Sequence, residues 1–356
     1  MPKTLFHALS WQKLLFNFLF LSLLLFSSGC EKPTNNRTTQ ASFYIFGTQV
    51  NVIIYQASKE QAEQAIHQVE KRFQQFHQEW HAWQKGGIVN QINQAIAQQK
   101  HIALEPSVIG FIKKSQQLNQ QSLGLFDPGI GQLISLWGFH SEAWQGPPPE
   151  KAEIQAWLKN RPSINDITFD NNQLSSSNPN VQLDFGGNAK GLAIDIALDS
   201  LEKFGIKNAL VSIGGDMKVI GSKKPLNANS AQTDQAWSIA IQNPKNPNEA
   251  FAQLPLYNGE SIVTSGTYQR FFEWQGKRYS HIINPNTGYP ANSFASVTVI
   301  HDDATTADAA ATALLVAGPK EWQKIAKNMA LNYVFTIDQL GNIQQTKAMK
   351  ERIKLL

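Results

Sequence analysis

The chain has 356 residues, with 31 lysines and arginines against 27 aspartates and glutamates and a formal net charge of +4. Hydrophobic residues make up 42% and charged residues 16%, enough apolar side chain to bury a substantial core and too much for a disordered or fibrous chain. A balance this close to neutral, with no long basic stripe, excludes nucleic acid as the expected partner.

Lys3 and Lys13 lie in an acid-free N-terminus, and Leu14 to Phe26 is almost wholly apolar, broken only by Asn17 and Ser22. That is the length of an export signal and falls short of a comfortable membrane span. Ser27-Ser28-Gly29 then leads to Cys30, the single cysteine, so no disulfide can form within the chain. Small residues before a lone cysteine have the form of a bacterial lipoprotein cleavage box, in which the thiol is acylated; plain secretion or an uncleaved anchor, with Cys30 incidental, is the competing reading. The expected division is a signal peptide over 1–29, a flexible tether over 30–42 and a globular domain over 43–356. The tether reading rests on the polar run Glu31 to Gln40.

Phe43 to Tyr55 reads as an opening strand. Ser58 with Gln61 carries a capping-box signature, and Ala62, Ile66, Val69, Phe73, Phe76 and Trp80 follow at helical spacing. Glu105-Pro106 opens a second helix that Gly124 ends, Glu150 to Asn160 forms a short third, and Asp170-Asn171-Asn172 turns a polar hairpin. Gly191 to Phe204 is a helix, with short strands at Ala209–Ile213 and Met217–Ile220 around Gly214-Gly215-Asp216. Further strands are expected at 237–242, 268–274, 278–283 and 296–300. Helices follow over 306–317 and 319–330, then a last strand over 332–337. Irregular alternation with hairpins points to a mixed α+β fold with largely antiparallel sheets and packed helices.

Two segments carry the strongest chemical signal. Asp308 and Thr312 stand four residues apart, on one side of a helix, and offer a carboxylate and a hydroxyl of the kind Mg²⁺ prefers; the same residue types also cap helices. Asp184-Phe185-Gly186-Gly187-Asn188-Ala189-Lys190 places glycines and a lysine at a helix entrance, where backbone amides favour anions. Lys190 there can meet a phosphate or remain a solvated lysine beside a glycine turn. His281 can accept a proton or hold a ligand, or serve as an ordinary strand-end histidine. Leu125-Phe126-Asp127 with Trp137-Gly138-Phe139 supplies an acid and large aromatics that can stack on a planar ring or fill the core.

In order along the chain, Phe126-Asp127-Pro128, Asp184-Phe185-Gly186-Gly187 with Ala189-Lys190-Gly191, Gly214-Gly215-Asp216, Thr264-Ser265-Gly266 with His281 to Pro290, and Thr306-Ala307-Asp308 with Thr312 resemble the motifs of the ApbE family of flavin transferases. The resemblance runs from Phe46 to about Gly318 and implies an ApbE-like (T-fold-like) architecture. It implies transfer of FMN from FAD to a threonine or serine of an exported acceptor protein, with release of AMP. By motif, Asp308, Thr312 and the Gly187 carbonyl would hold Mg²⁺, while Trp83, Leu125, Phe126, Asp127, Asp184, Lys190 and His281 would surround FAD. His281, Lys190 and Asp308 would carry the chemistry. The family analogy also implies acceptor subunits of sodium-pumping NADH:quinone reductase or Rnf-type complexes, and a lipid-anchored enzyme facing the periplasm. Three positions depart from the pattern: Asn284 for a frequent aspartate, Phe46 for a methionine and Thr267 for an acidic residue. The alternatives are an FAD pyrophosphatase, with water as the attacking group, and a membrane-tethered flavin-binding protein without turnover.

Overall fold

A two-residue turn at Phe46-Gly47 folds the first strands of the computed structural model, which describes residues 38–141, 143–223 and 236–356. Both turn residues have positive φ, 60° and 70°, which matches the twist of a tight antiparallel hairpin. The strands it joins, β1 (Thr38–Ile45) and β2 (Thr48–Tyr55), begin an eight-stranded sheet. It continues through β3 (Ala209–Ile213), β4 (Asp216–Ile220), β5 (Ser261–Gly266), β6 (Phe294–His301), β7 (Tyr333–Asp338) and β8 (Ile343–Gln345). Sheet order follows chain order and every neighbouring pair is antiparallel, as the α+β reading requires.

The helices are α1 (Lys59–Trp80), α2 (Ile88–Ala97), α3 (Pro106–Gln121), α4 (Gly131–Leu136), α5 (Lys151–Lys159), α6 (Ala189–Lys203), α7 (Ala304–Asn328) and α8 (Lys347–Arg352). Ser58 caps α1 by accepting from the Gln61 amide at 3.1 Å. Gly318, with φ 68° and ψ −177°, interrupts α7 just before Pro319, so the segment is two helical stretches, as its sequence predicts.

Side chains alternate across the large sheet and thereby assign its two faces. Val50, Val52, Ile54, Val211 and Ile213 pack against α1 and α6. Val263, Val297, Val299 and Val334 pack against α7. The intervening Leu210, Ile262, Ile300 and Phe335 turn the other way, onto a three-stranded sheet built from 237–242, 250–256 and 354–355. A lobe of α2, α3 and the short strands 102–103, 167–170 and 173–176 has its own apolar cluster around Ile92, Ile112, Leu174 and Phe185.

Residues 38–356 form one compact unit. Thr38 to Ser42, read from sequence as the end of the tether, are strand residues paired with Tyr55 to Asn51; their alternation was hidden by the polar Thr38, Thr39 and Gln40. The expected strand over 43–55 is two strands. Cys30, the signal segment and the tether up to residue 37 lie outside the described residues. Among the described residues no helix is long and apolar enough to cross a membrane.

Candidate active site

The glycines of two sequence segments allow the backbone approaches that build one cavity. Gly131 donates its amide to the Gln182 carbonyl at 2.7 Å, and the Asp184 amide donates to the Pro128 carbonyl at 2.8 Å, so 126–131 and 182–187 run side by side. A Cβ at Gly129 would strike the Ile164 backbone and one at Gly131 the Gln182 carbonyl. Past this junction, Asn188 and Ala189 donate to the Phe185 carbonyl at 2.9 and 2.8 Å and start α6, which brings Lys190 to the cavity wall.

The cavity has a volume of about 700 Å³, suited to a dinucleotide-sized ligand. All ten protein positions that the sequence analysis nominated for ligand, metal or chemistry line it: Trp83, Leu125, Phe126, Asp127, Asp184, Gly187, Lys190, His281, Asp308 and Thr312.

Lys190 stands at its charged end. Its Nζ lies 2.7 Å from Asp216 Oδ2 and 3.1 Å from Asp308 Oδ1. Asp308 Oδ2 accepts from the Gly191 amide at 3.1 Å, and Asp216 Oδ1 from the Thr264 amide at 3.1 Å. Burial works against the lysine's charge, but the two carboxylates outweigh it and raise its pKa. Burial likewise pushes Asp216 up, opposed by Lys190 and reinforced by Asp308. One helical turn beyond Asp308, the Thr312 hydroxyl lies 3.3 Å from that of Ser265. A Cβ at Gly187 would sit 3.5 Å from Thr312 Oγ1 and 3.2 Å from the Phe126 ring, so the bare backbone of Gly187 is what faces that hydroxyl.

This set fits a hard divalent cation in its chemistry, because the Asp308 carboxylate, the Thr312 hydroxyl and a peptide carbonyl of the adjoining Gly187 backbone are all oxygen donors and leave coordination positions for phosphate. Among the described residues no group of three or more His, Cys, Asp and Glu gathers as a self-sufficient metal centre.

Aromatic rings make up much of the rest of the lining. Trp83 donates its indole N–H to Asp184 Oδ2 at 2.8 Å, while Asp184 Oδ1 accepts from the Gly186 amide at 2.8 Å. His81 Nδ1 accepts from the amides of Trp83 and Gln84 at 3.1 and 3.2 Å, which fixes the chain on either side of the indole. Phe46, held at positive φ, packs edge-on against Phe73, Phe76 and His77 and also lines the cavity.

Asp127 is buried, and its Oδ1 accepts from the amides of Gly129 and Ile164 at 2.9 and 3.0 Å. Its Oδ2 has no hydrogen-bond partner among the described residues, and burial raises its pKa.

His281 accepts no proton through Nδ1, which lies 3.0 Å from the Arg270 carbonyl; a carbonyl can only accept, so Nδ1 carries the hydrogen and Nε2 is left as the acceptor. Burial, with the nearby Arg270 and Lys190 charges, pushes its pKa down to about 4. Sequence reading missed two contributors to the site. Asp216 sat in a noted motif but its role depends on β4 lying behind Lys190. Arg270 lines the cavity and donates to the Phe139 carbonyl at 2.8 Å, a contact across 131 positions that no local pattern announces.

The model of the ApbE family matches residues 46–335. An FAD:protein FMN transferase of Rhodobacter capsulatus is 35% identical over 317 residues, covering 88% of this chain and 58% of that protein's length. One of Vibrio cholerae is 30% identical over 309 residues, 86% of this chain and 89% of its own. Among solved structures, the ApbE protein of Thermotoga maritima superposes with a TM-score of 0.79 at 28% identity, covering 88% of this chain and 99% of that one. The flavin transferase ApbE of Vibrio cholerae gives 0.75 at 27%, over 89% and 99%.

Proposed function

The chain belongs to the ApbE family, and from that premise we propose that it is an FAD:protein FMN transferase. It transfers FMN from FAD to a threonine or serine hydroxyl of an acceptor protein and releases AMP. The observation that supports this most is the junction of Lys190, Asp216 and Asp308 beside a cavity that aromatic rings also line.

In this reading the pyrophosphate of FAD lies against Lys190, and Trp83, Leu125 and Phe126 pack on its planar rings. Asp308, Thr312 and the Gly187 carbonyl would hold Mg²⁺, which when bound supplies charge neutralisation on the phosphate oxygens. Asp216 keeps Lys190 charged and in place when Asp308 turns toward the cation. The acceptor oxygen forms a bond to the FMN phosphorus as the bridging P–O bond breaks. The hydroxyl proton passes to Nε2 of His281, and the AMP phosphate carries off the electron pair. Negative charge gathering on the phosphoryl oxygens meets a lysine fixed in place beforehand, the arrangement that favours a transition state over the ground state.

We further propose that residues 1–29 direct export, that Cys30 carries the lipid, and that the catalytic unit faces the periplasm. Acceptors of the kind found in sodium-pumping NADH:quinone reductase or Rnf-type complexes suit that location; this part rests on family resemblance and on the N-terminal pattern.

The test is to incubate the chain lacking residues 1–29 with FAD, Mg²⁺ and such an acceptor subunit. Flavin fluorescence that stays with the acceptor in a denaturing gel, with AMP released, is the expected result. AMP without labelled protein would replace transfer by hydrolysis, and tight FAD retention without AMP would leave a binding protein.

A further inference from the structure

The three elements that meet at Lys190 are tied together a second time, with the charges reversed. In the inner tie the cation is on α6 and the acids are on β4 and α7: Lys190 with Asp216 and Asp308. Five residues further along α6 stands an acid, Asp195, and two residues further along β4 a cation, Lys218, 2.7 Å from it. The Asp195 carboxylate also accepts from the first turn of α7, from the Ala304 amide at 3.4 Å and from the Thr305 amide and hydroxyl at 3.3 Å each. An acid at that place meets the positive end of α7's backbone dipole. Between the two ties Gly191 lets the helices touch, because a Cβ there would run into the Ala304 carbonyl.

The ties differ in what they face. Lys190 and Asp308 line the cavity, whereas Asp195 and Lys218 do not, and their side chains are only 21% and 17% exposed. Both Asp308 oxygens are already engaged, Oδ1 by Lys190 and Oδ2 by the Gly191 amide, so in the proposed reading a bound cation competes with these partners for the carboxylate and weakens the inner tie. The outer tie has no ligand to lose its partners to.

We propose that Asp195, with Lys218, is a positioning residue that holds α7 against α6 and β4 while Asp308 is engaged by metal, and so sets the affinity of the Asp308–Thr312 end for Mg²⁺. This rests on the reading of Asp308 and Thr312 as cation ligands. Residues that orient a metal ligand from behind change metal affinity or activity by about 10- to 100-fold when replaced.

The experiment is a fluorescence titration of FAD into the full chain, first in EDTA and then at increasing Mg²⁺, for the wild type, Asp195→Asn, Lys218→Met and Lys218→Arg, with thermal midpoints measured alongside. The expected result is that Asp195→Asn and Lys218→Met bind FAD in EDTA as the wild type does, within about twofold, but need about tenfold more Mg²⁺ for half of its effect. Lys218→Arg restores the wild-type Mg²⁺ requirement. Equal Mg²⁺ requirements in all four proteins would overturn the proposal. So would an equal loss of FAD affinity with and without Mg²⁺, which marks a purely structural tie. A wild type that binds FAD but ignores Mg²⁺ would remove the metal reading, and the proposal with it; one that binds no FAD would remove the transferase reading itself.

Discussion

Lys190 is the residue on which the charge balance of the cavity turns. Without it Asp216 and Asp308, with side chains 4% and 2% exposed, would face each other as buried carboxylates. Lys190→Met is expected to cost about 3 kcal/mol of stability in urea unfolding and to remove turnover, whereas a solvated lysine would change neither. His281 makes a prediction in pH. Its folded value of about 4 lies below the ordinary 6.5, so between these values the unfolded chain takes up a proton that the folded chain does not. The stability contributed by the neutral ring is complete above pH 6.5 and is lost as pH falls through about 4. The acid-side slope of unfolding free energy across that window should therefore flatten in His281→Gln, and turnover should fall by about 10²- to 10⁴-fold. An unchanged slope would place the ring in solvent. At this scale Lys190, Asp308 and Thr312 were legible because short spacings at helix starts carry the chemistry. Asp216 was legible only as a motif, since its partner is 26 positions away and on another element.

At the scale of elements, the site depends on how closely α6 approaches the start of α7. Gly191 donates its amide to Asp308 and leaves no room for a methyl group beside Ala304. Gly191→Ala is expected to cost about 1 to 3 kcal/mol in urea unfolding and to weaken FAD binding, because backbone must move to admit the Cβ. A variant with wild-type stability and affinity would show that the helices can separate freely. The long helices declared themselves in the sequence: α1 through the spacing of Ile66, Val69 and Phe73, all buried, and α7 as two stretches on either side of Gly318. The ten-residue α2 did not, because Gly86-Gly87 and scattered glutamines and asparagines break the pattern around Val89, Ile92 and Ile96. β5 was read as a hydroxyl-rich site segment rather than a strand; Ser261, Thr264 and Ser265 are polar positions that the neighbouring strands and α7 bury or partly bury. The strand at 250–256, β8, α8 and the strand at 354–355 also escaped: the first two pair locally, with 237–242 and with β7, but carry few β-branched residues, and 354–355 pairs with Ala252 and Gln253 about a hundred positions back.

For the whole molecule, the eight-stranded sheet explains why residues from Trp83 to Thr312 can share one cavity: strands in chain order carry their connecting helices to one face, and α6 and α7 lie next to each other there. The alternation of Val50, Val52 and Ile54 with Ile53 and Tyr55 made such a two-faced sheet readable strand by strand, but the pairing of β2 with β3, from Tyr55 to Ala209 across the whole helical lobe, was not. Beyond the described residues, the N-terminal pattern predicts that Cys30→Ser shifts the protein from the membrane to the soluble fraction of cells while turnover of the purified chain stays the same. An unchanged membrane fraction would exclude the lipid anchor.

Turnover as proposed requires the ligand's diphosphate and a divalent cation to meet between α6 and α7. Crystals of the wild type and of Asp308→Ala, soaked with FAD and Mn²⁺ and measured at an anomalous wavelength, test this directly. The predicted result is a metal peak bounded by Asp308, Thr312 and the Gly187 carbonyl, with the FAD pyrophosphate beside Lys190, and no such peak in the variant. A flavin bound outside this cavity, or a metal peak that survives loss of Asp308, would contradict it.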